Sequence, residues 1–449
     1  MNTRALCLVL AAMGMAGCAN FSGLDTQGQR LDANTLQTGK SLTGVTLSSA
    51  AWPSADWWKS LGDPQLDGLI QEALQNSPDM QVASARAHQA EAAAYAANAA
   101  RMPTLDASAG VSRSRLAKDQ DPLGQGDAYS TVRNIGASFN YNFDLWGGQR
   151  AAWEAALGQA RAAEVDQQAA RLTLAADVAK AYSDLGQAHI VRDLANDDLK
   201  RTRQMLNLSQ RRLNSGIDSQ YQFQQTESLE ASSQSQLIDA EKQLQSAKIA
   251  LAVLLGKGPD RGNELARPAV LKPSAVAVPS VLPAELLGRR PDLIAARWRV
   301  EAASKNIAAG KANFYPNLNL SASAGAESLL GDAMFGSASR FFNIAPTISL
   351  PIFDGGRLRA NLDARDADYD LAVAQYNKTL VQALGDIGNT LSQLRETGRQ
   401  IQAQQHAADI AQQSYDTAML RYSSGIGNYL DVLSIEQQLL QAQRQLAAL

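Results

Sequence analysis

The residue types that most often perform chemistry are sparse in this chain and widely separated. Its three histidines, His88, His189 and His406, lie far apart, and none has cysteines or an acidic cluster at the spacing of a metal site. The glycines between Gly256 and Gly262 follow a predicted helix rather than a strand, so they do not read as a nucleotide-binding loop. The sequence therefore predicts no catalytic residue, no metal and no cofactor. It contains no Walker-type ATP-binding motif, so any energy that its function requires must come from a partner protein.

The one side chain with a predicted covalent role is Cys18. A short basic start is followed by an apolar run, residues 5–15, that has the length of a signal sequence rather than of a membrane span. Small residues then precede Cys18, as in bacterial lipoprotein signals whose cleavage leaves the cysteine as an N-terminus carrying lipid such as palmitate. Met15 stands where the usual pattern has Leu, so a plain signal peptide with an incidental cysteine is the alternative. Ala19, rather than Asp, favours sorting to the outer membrane, by resemblance to other bacterial lipoproteins.

Composition narrows the class of protein further. The net charge of −3 argues against a nucleic-acid partner. Charged residues make up 19% of a chain rich in alanine and glutamine, which suits long, partly solvated helices better than one compact core. After the signal there is no run of eighteen apolar residues, so no transmembrane helix is predicted.

An internal repeat places the remaining candidate residues. Shifted by 213 positions, Pro78-Asp79 falls on Pro291-Asp292. Shifted by 209 positions, the Arg-x-x-Ser-Gly-Ile run that begins at Arg212 falls on the run that begins at Arg421. The order of the matches is kept, and the shift changes only between blocks, where loops differ in length.

The repeat divides the chain into five predicted segments. They are a signal peptide, a lipidated tail, a first repeat, a proline-rich connector and a second repeat, over residues 1–17, 18–62, 63–256, 257–283 and 284–449. The first repeat is expected to hold short helices, a β-hairpin over 103–145 and a helical hairpin over 148–256. The second is expected to hold a helix over 292–313, a β-hairpin over 316–353 and a helical hairpin over 357–449. The second copy has 13 residues after Glu436 where the first has 29 after Glu227, so its last helix is expected to be shorter.

Two stretches in each copy alternate strictly between apolar and polar residues, which predicts strands with one wet face. They cover 104–112 and 134–145, then 317–324 and 342–352. Each is near the roughly 9–11 residues that a tilted strand needs to cross a bilayer. A soluble sheet would alternate as well, but the Asn- and Ser-rich faces and the long flanking helices favour a membrane barrel. Because a membrane forbids open sheet edges, at least two chains must associate, and three would give twelve strands.

Two proline-free stretches, 148–214 and 357–424, predict long helices of roughly 100 Å each. Apolar residues recur in them at threes and fours, which indicates coiled-coil packing. Each stretch ends at Ser-Gly-Ile, where glycine can adopt a left-handed cap and the chain can reverse into a returning helix. These turns are expected at the end of the molecule farthest from the strands.

Taken together, several motifs resemble those of the TolC-type outer-membrane channels, and most closely their lipoprotein branch in multidrug efflux pumps. The match runs from about residue 52 to the C-terminus. The motifs are Trp57-Trp58, Gly62-Asp63-Pro64, Phe-Asp-Leu-Trp-Gly-Gly at 143–148, Leu-Pro-Ile-Phe-Asp-Gly-Gly at 350–356, Arg421-Tyr422-x-x-Gly425 and Tyr-Leu-Asp-Val-Leu at 429–433.

This resemblance implies the fold class and the partners. The implied fold is an α+β membrane protein: a homotrimer whose 12-stranded β-barrel, four strands per chain, continues into a long α-helical coiled-coil barrel in the periplasm. The implied function is the exit channel for drugs or other small toxic compounds, joined to a periplasmic adaptor protein and an inner-membrane efflux transporter. The alternatives are a channel of the same fold for type I protein secretion, and a lipid-anchored coiled-coil scaffold without a pore.

The resemblance also implies roles for residues at the two helical turns. The residues that match adaptor-docking turns are Ser215, Gly216, Ile217, Ser424, Gly425 and Ile426. Leu430 matches a hydrophobic constriction of the pore, Asp431 an inward acid, and Tyr422 a tyrosine near the gate. In three copies Asp431 would form a ring of carboxylates that attracts cations. Alternatively, Asp431 is only an acidic residue in the first turn of a helix, where its charge is favourable, and Tyr422 only packs in the helical seam.

Overall fold

The computed structural model describes residues 21–32, 47–48, 56–115, 129–269, 271, 278–279, 288–328 and 334–449. Cys18 and the predicted signal peptide lie outside these ranges, as do residues 270, 272–277 and 280–283 of the predicted connector. The chain divides into two compact units. One comprises residues 1–31, 85–166 and 291–379, and the other comprises 32–84, 167–290 and 380–449.

The main elements occur in the same order in both copies. The first copy contains α1 (Pro64–Asn76), α2 (Pro78–Ala99), β1 (Thr104–Arg115), β2 (Tyr129–Phe143), α3 (Gly148–Asn214) and α4 (Gln220–Leu254). The second contains α5 (Pro291–Ala312), β3 (Asn317–Ser328), β4 (Arg340–Ser349), α6 (Arg357–Ser423) and α7 (Tyr429–Ala448). Within the described ranges, no helix is both long enough and apolar enough to span a membrane. The predicted α+β fold with four strands and an internal repeat is confirmed.

The four strands form one antiparallel sheet in chain order, β1-β2-β3-β4. The register aligns the apolar sets of all four strands on one face, and the polar sets on the other. One apolar row across the sheet consists of Leu105, Phe139, Ala322 and Ile344. The adjacent polar row consists of Asp106, Ser138, Ser323 and Asn343. The alternation read from the sequence therefore describes a single two-faced sheet.

The apolar face of this sheet is uncovered in the single chain. Leu105 is 74% exposed, Ile348 72% and Phe342 83%. Phe341 points to the polar face, where it pairs with Gly325 in the register and its ring lies beside Gly136. An uncovered face of this size is unfavourable in water and matches the outward face of a membrane strand.

Matching motifs start the two long helices, and their residue types have a local physical reason. The carboxylate of Asp144 accepts hydrogen bonds from the backbone nitrogens of Gln149 and Arg150, at 3.0 and 2.8 Å. In the second copy Asp354 accepts from the Leu358 nitrogen at 2.9 Å. These bonds satisfy helix N–H groups that have no partner within the helix, and the negative charge favours that end. The strand-to-helix change is therefore encoded twice.

The motif Gly62-Asp63-Pro64 builds the start of α1 in the second unit. Gly62 has a left-handed φ of 72°, Asp63 accepts from the backbone nitrogen of Leu66 at 3.2 Å, and Pro64 takes the first helical position. The other oxygen of Asp63 accepts the Tyr182 hydroxyl at 2.8 Å. This contact joins α1 to a buried core. Its largest fully buried members are Trp58, Leu66, Ile70, Tyr182, Leu185, Leu251 and Leu255.

The segment 21–31 lies along α6 within the first unit. The Phe21 ring packs edge-on against Phe314 at 4.9 Å between centroids. The Asp370 carboxylate accepts from the backbone nitrogens of Gln27 and Gly28, at 3.0 and 2.6 Å. A Cβ at Gly28 would lie 2.9 Å from an Asp370 oxygen, so a glycine fits this close approach. The segment is therefore fastened to the helix through its backbone.

We expect Asp370→Ala to loosen this segment, because two backbone donors lose a charged acceptor. Hydrogen bonds to a charged group contribute roughly 1.5–3 kcal/mol, so tryptic cleavage after Arg30 should become about tenfold faster. Time courses of limited proteolysis on the full chain measure this rate. Asp368→Ala removes another acidic group from α6 and serves as the control. Equal cleavage rates in the two variants would contradict the fastening role of Asp370.

Candidate functional site

Both predicted turns have the same backbone structure. Gly216 has a φ of 70°, and the nitrogen of Ile217 donates to the Arg212 carbonyl at 2.9 Å. Gly425 has a φ of 81°, and the nitrogen of Ile426 donates to the Arg421 carbonyl at 3.0 Å. Glycine adopts this left-handed conformation without a steric cost, so each long helix ends where Ser-Gly-Ile occurs.

The returning helices begin within a few residues of each turn. Ser219 and Gln222 form a reciprocal capping box at the start of α4. At the start of α7, the side-chain oxygen of Asn428 accepts from the backbone nitrogen of Leu430 at 3.2 Å. Short capped connections of this kind fix the direction of the returning helix, so the turns are well-defined structures.

The six predicted docking residues are all exposed: Ser215, Gly216, Ile217, Ser424, Gly425 and Ile426. Ile217 is 63% exposed and Ile426 73%. Each turn thus leaves one large apolar side chain exposed to solvent.

A buried carboxylate connects the two turns within the second unit. Asp218 follows the first turn and accepts the Tyr422 hydroxyl at 2.8 Å, near the end of α6. Its other oxygen accepts the Nε of Arg212 at 2.9 Å. The Asp218 side chain is only 2% exposed, so this bond and ion pair are shielded from water. We call Arg212, Asp218 and Tyr422 the turn clamp.

Arg212 contacts both other members of the clamp, Asp218 and Tyr422. Its Nη1 donates to the Tyr422 carbonyl oxygen at 3.3 Å, and its guanidinium lies 4.6 Å from the centroid of the Tyr422 ring. The planar guanidinium can make these contacts together because its donors point in several directions. The end of α6 is therefore held to the first helical hairpin through the backbone carbonyl, the ring and the hydroxyl of Tyr422.

A hydrophobic cluster supports the clamp from inside. Tyr429 lies beside Tyr422, with 6.0 Å between ring centroids, and its hydroxyl lies 2.8 Å from the Thr226 hydroxyl on α4. The buried members of the cluster are Met205, Tyr415, Tyr422, Tyr429, Val432 and Leu439. Burial raises the pKa of Tyr422 far above its ordinary value, and the hydrogen bond to Asp218 raises it further. The phenol therefore keeps its proton at any physiological pH, and its hydroxyl donates a hydrogen bond to Asp218.

Among the predicted constriction residues, the structure separates Tyr422 from the other two. Tyr422 is buried in the clamp, whereas Leu430 and Asp431 are exposed at the start of α7. Asp431 lies in the first turn of that helix, where its charge is favourable, and it borders a groove together with Arg421 and Asn428. Tyr422 thus both packs in the seam and forms a specific bond, while Leu430 and Asp431 remain available to other surfaces.

Asp218 and Gly427 are absent from the residues chosen from the sequence, although a signal for both was present. At the shift of 209, Asp218 corresponds to Gly427, and Leu213 corresponds to Tyr422. A Cβ at Gly427 would lie 2.7 Å from the Tyr422 nitrogen, so the second turn has no room for a side chain there. Two of the three clamp residues, Asp218 and Tyr422, stand where the copies differ, whereas Arg212 stands where they match.

Comparison with known proteins decides the family. The model for outer membrane efflux proteins matches residues 69–257 and 282–449. The chain belongs to the outer membrane efflux protein family. This efflux protein is therefore a member of a family of transport channels located in the bacterial outer membrane.

Curated relatives of the efflux protein carry names that refer to export. It is 36% identical to the fusaric acid resistance protein FusA of Burkholderia cepacia over 374 residues, which cover 82% of this chain and 70% of that protein. It is 32% identical to the pyoverdine export outer membrane protein OpmQ of Pseudomonas aeruginosa over 444 residues, covering 97% and 90%. Both alignments span most of each chain.

A solved structure shares the fold. The outer membrane protein VceC of Vibrio cholerae superimposes with a TM-score of 0.81 at 36% identity, covering 88% of the efflux protein and 95% of that chain. The confirmed predictions are thus the family, the fold class and the location in the outer membrane.

Proposed function

We propose that this efflux protein is the outer-membrane exit channel of a tripartite pump and conducts small toxic compounds passively from the periplasm to the exterior. The observation that carries the proposal is the four-stranded sheet, whose apolar face is uncovered and whose outer strands are β1 and β4. Such a sheet requires lipid on one face and further strands at its edges.

A homotrimer satisfies both requirements. Three copies supply twelve strands, and β4 of one chain can pair with β1 of the next, so that no edge remains open. The Asn- and Ser-rich face then lines a water-filled lumen. The smallest membrane barrels have about eight strands, so the four strands of one chain cannot close a barrel.

The turn clamp is proposed to hold the channel closed until partners act on it. In the trimer, Leu430 would form a hydrophobic constriction and Asp431 a ring of three carboxylates beside it. The exposed Ile217 and Ile426 turns would receive the periplasmic adaptor protein, which links the channel to an inner-membrane transporter. Separation of α6 and α7 from α3 and α4 then widens the pore.

Lipid on Cys18 is proposed to anchor the chain in the outer membrane. Phe21, three residues further on, packs against Phe314 directly before β3 in the sequence. This position of Phe21 next to the strand-bearing part of the first unit supports an anchor close to the bilayer. Mass spectrometry of the purified mature N-terminus tests whether Cys18 carries acyl chains.

The names of the relatives favour small molecules over proteins as cargo. They refer to fusaric acid, pyoverdine and multidrug resistance. A deletion strain should therefore become more susceptible to small toxic compounds while its secreted proteins stay unchanged. The reverse result would favour type I protein secretion, and purified protein without any conductance would favour the scaffold.

Asp431→Ala is expected to weaken block of the channel by multivalent cations. Removing three carboxylates from one ring removes the main attraction for cations there, so the blocking constant should rise at least about tenfold, or ~1.4 kcal/mol. Conductance in planar bilayers with added multivalent cation measures this. Asp409→Ala removes an exposed acid from α6 that lies 15 residues before Ser424, and should leave block unchanged. If Asp431→Ala and wild-type channels are blocked equally, the ring of carboxylates is refuted.

A further inference from the structure

We propose that Glu436 is a proton-binding residue whose charge controls how tightly the two helical hairpins pack, and thereby how easily the turns separate. This inference deepens the proposed channel function and rests on it for the gating step. The proton-binding step stands on the geometry of the helices alone.

Glu436 occupies an unusual position for an ionisable residue. It is only 4% exposed on α7, and neither of its carboxylate oxygens has a hydrogen-bond partner among the described residues. The nearest cationic group is the Nε of Arg201 on α3, at 3.8 Å from Oε1. A buried carboxylate without hydrogen bonds is costly when charged, so a proton is its simplest partner.

The surroundings do not neutralise a second negative charge. Arg201 is shared, because its Nη2 also lies 3.6 Å from the Asp198 carboxylate. The other oxygen of Asp198 accepts the Ser233 hydroxyl from α4 at 2.9 Å. From α6, the Tyr415 ring lies 5.9 Å from the Arg201 guanidinium. Two carboxylates therefore compete for one guanidinium where four helices meet.

The electrostatics agree with this geometry. Burial raises the pKa of Glu436, the neighbouring Asp198 charge raises it further, and Arg201 lowers it, with the result at about 7. An exposed glutamate has a pKa near 4.5. Because the packed state binds the proton more tightly than the separated state, packing is strongest below pH 4.5. It weakens as the pH rises from there through 7.

The location links this proton to the turn clamp. Tyr415, Tyr422, Tyr429 and Glu436 follow one another at intervals of seven residues, the first two on α6 and the last two on α7. Within one helix, residues at this interval lie on the same side and share a packed seam, which applies to Tyr415 and Tyr422 on α6 and to Tyr429 and Glu436 on α7. Glu436 therefore stands two helical turns beyond Tyr429, in the same buried seam that supports the clamp.

The repeat offers a matched comparison. At the shift of 209, Glu436 corresponds to Glu227 on α4, and Glu227 is exposed to solvent. The same residue type at equivalent positions therefore has opposite environments. Glu227→Gln is accordingly the control for Glu436→Gln, since both remove one carboxylate of equal size.

The first experiment measures the proton itself. Infrared titration of the full chain in detergent should show a protonated carboxyl band that disappears with a midpoint near pH 7, in the wild type and in Glu227→Gln. The band should be lost in Glu436→Gln. In Asp198→Asn the midpoint should fall by about one pH unit, because a neighbouring negative charge is removed. A band that persists in Glu436→Gln would overturn the proton site.

The second experiment measures gating in planar bilayers between pH 5 and 9. Open probability should rise from pH 5 to about pH 7 and then level off, in the wild type and in Glu227→Gln. Glu436→Gln should remain at the low-pH level throughout, because its side chain is always neutral. If Glu436→Gln keeps the wild-type pH response, the regulatory role is overturned even where the infrared result supports the proton site. Absence of conductance in every variant would instead refute the proposed channel function.

Discussion

Asp218→Ala is expected to open the channel at rest. The change removes the acceptor of both Arg212 and Tyr422, and leaves the guanidinium, 16% exposed, without its ion-pair partner. Loss of one member of a buried pair costs about 3 kcal/mol or more, since the remaining charge is uncompensated. Planar-bilayer recordings should show higher conductance than in the wild type, and cells should become susceptible to large antibiotics that the outer membrane normally excludes.

Two variants make this experiment specific. Tyr422→Phe removes one hydrogen bond and keeps the packing, so its effect should be smaller, about 1 kcal/mol. Asp197→Ala removes an exposed acid of α3 that pairs only with Lys200 among the ion pairs described, and should behave like the wild type. A resting conductance of Asp218→Ala equal to that of the wild type would show that the clamp does not hold the turns together.

Gly325→Val is expected to prevent the sheet from forming. A Cβ at Gly325 would lie 2.3 Å from the Ile135 carbonyl oxygen and 2.7 Å from the Gly136 Cα, both backbone atoms of β2. Strands β2 and β3 would have to move apart, which breaks the hydrogen bonds on which a membrane strand depends. The variant should lose the heat-modifiable band on gels that marks a folded outer-membrane protein.

Gly110→Ala is the matched control for this effect. A Cβ there would also be close to a neighbour, at 2.7 Å, but that neighbour is the Asn134 side-chain oxygen, which can rotate away. We expect Gly110→Ala to fold normally. Normal heat-modifiability of Gly325→Val would mean that the β2–β3 pairing tolerates an added side chain.

The helices and strands were largely predictable because each has a regular pattern. The long helices were expected over 148–214 and 357–424, and occur at Gly148–Asn214 and Arg357–Ser423. At the ends away from the helices, the predicted strands were shorter than the observed strands, because the apolar–polar alternation stops there. Arg133 stands opposite Val111 in the apolar set, yet the backbone pairing continues to Arg115. Periodicity reports burial of side chains, whereas strand length depends on hydrogen bonds between backbones.

The candidate site was only partly predictable, for a related reason. The two turns have local signals in glycine, and the structure has turns at both. The clamp joins residues that are 204 positions apart in the sequence, and no local pattern encodes that contact. From the sequence alone, Asp218 is interpreted as an ordinary polar residue after a turn, and Glu436 as an ordinary polar residue in a helix. Their burial becomes apparent only when all four helices are packed together.

The equal length of α3 and α6, 67 residues each, restricts how the gene can change. One extra residue inside either helix would turn everything beyond it by about 100° and advance it by ~1.5 Å. Asp218 would then face away from Tyr422, and the clamp could not form. Insertions and deletions should therefore be tolerated in the loops and in the connector, and selected against within the helices unless both change together. During evolution, the lengths of the two helices should therefore change only together.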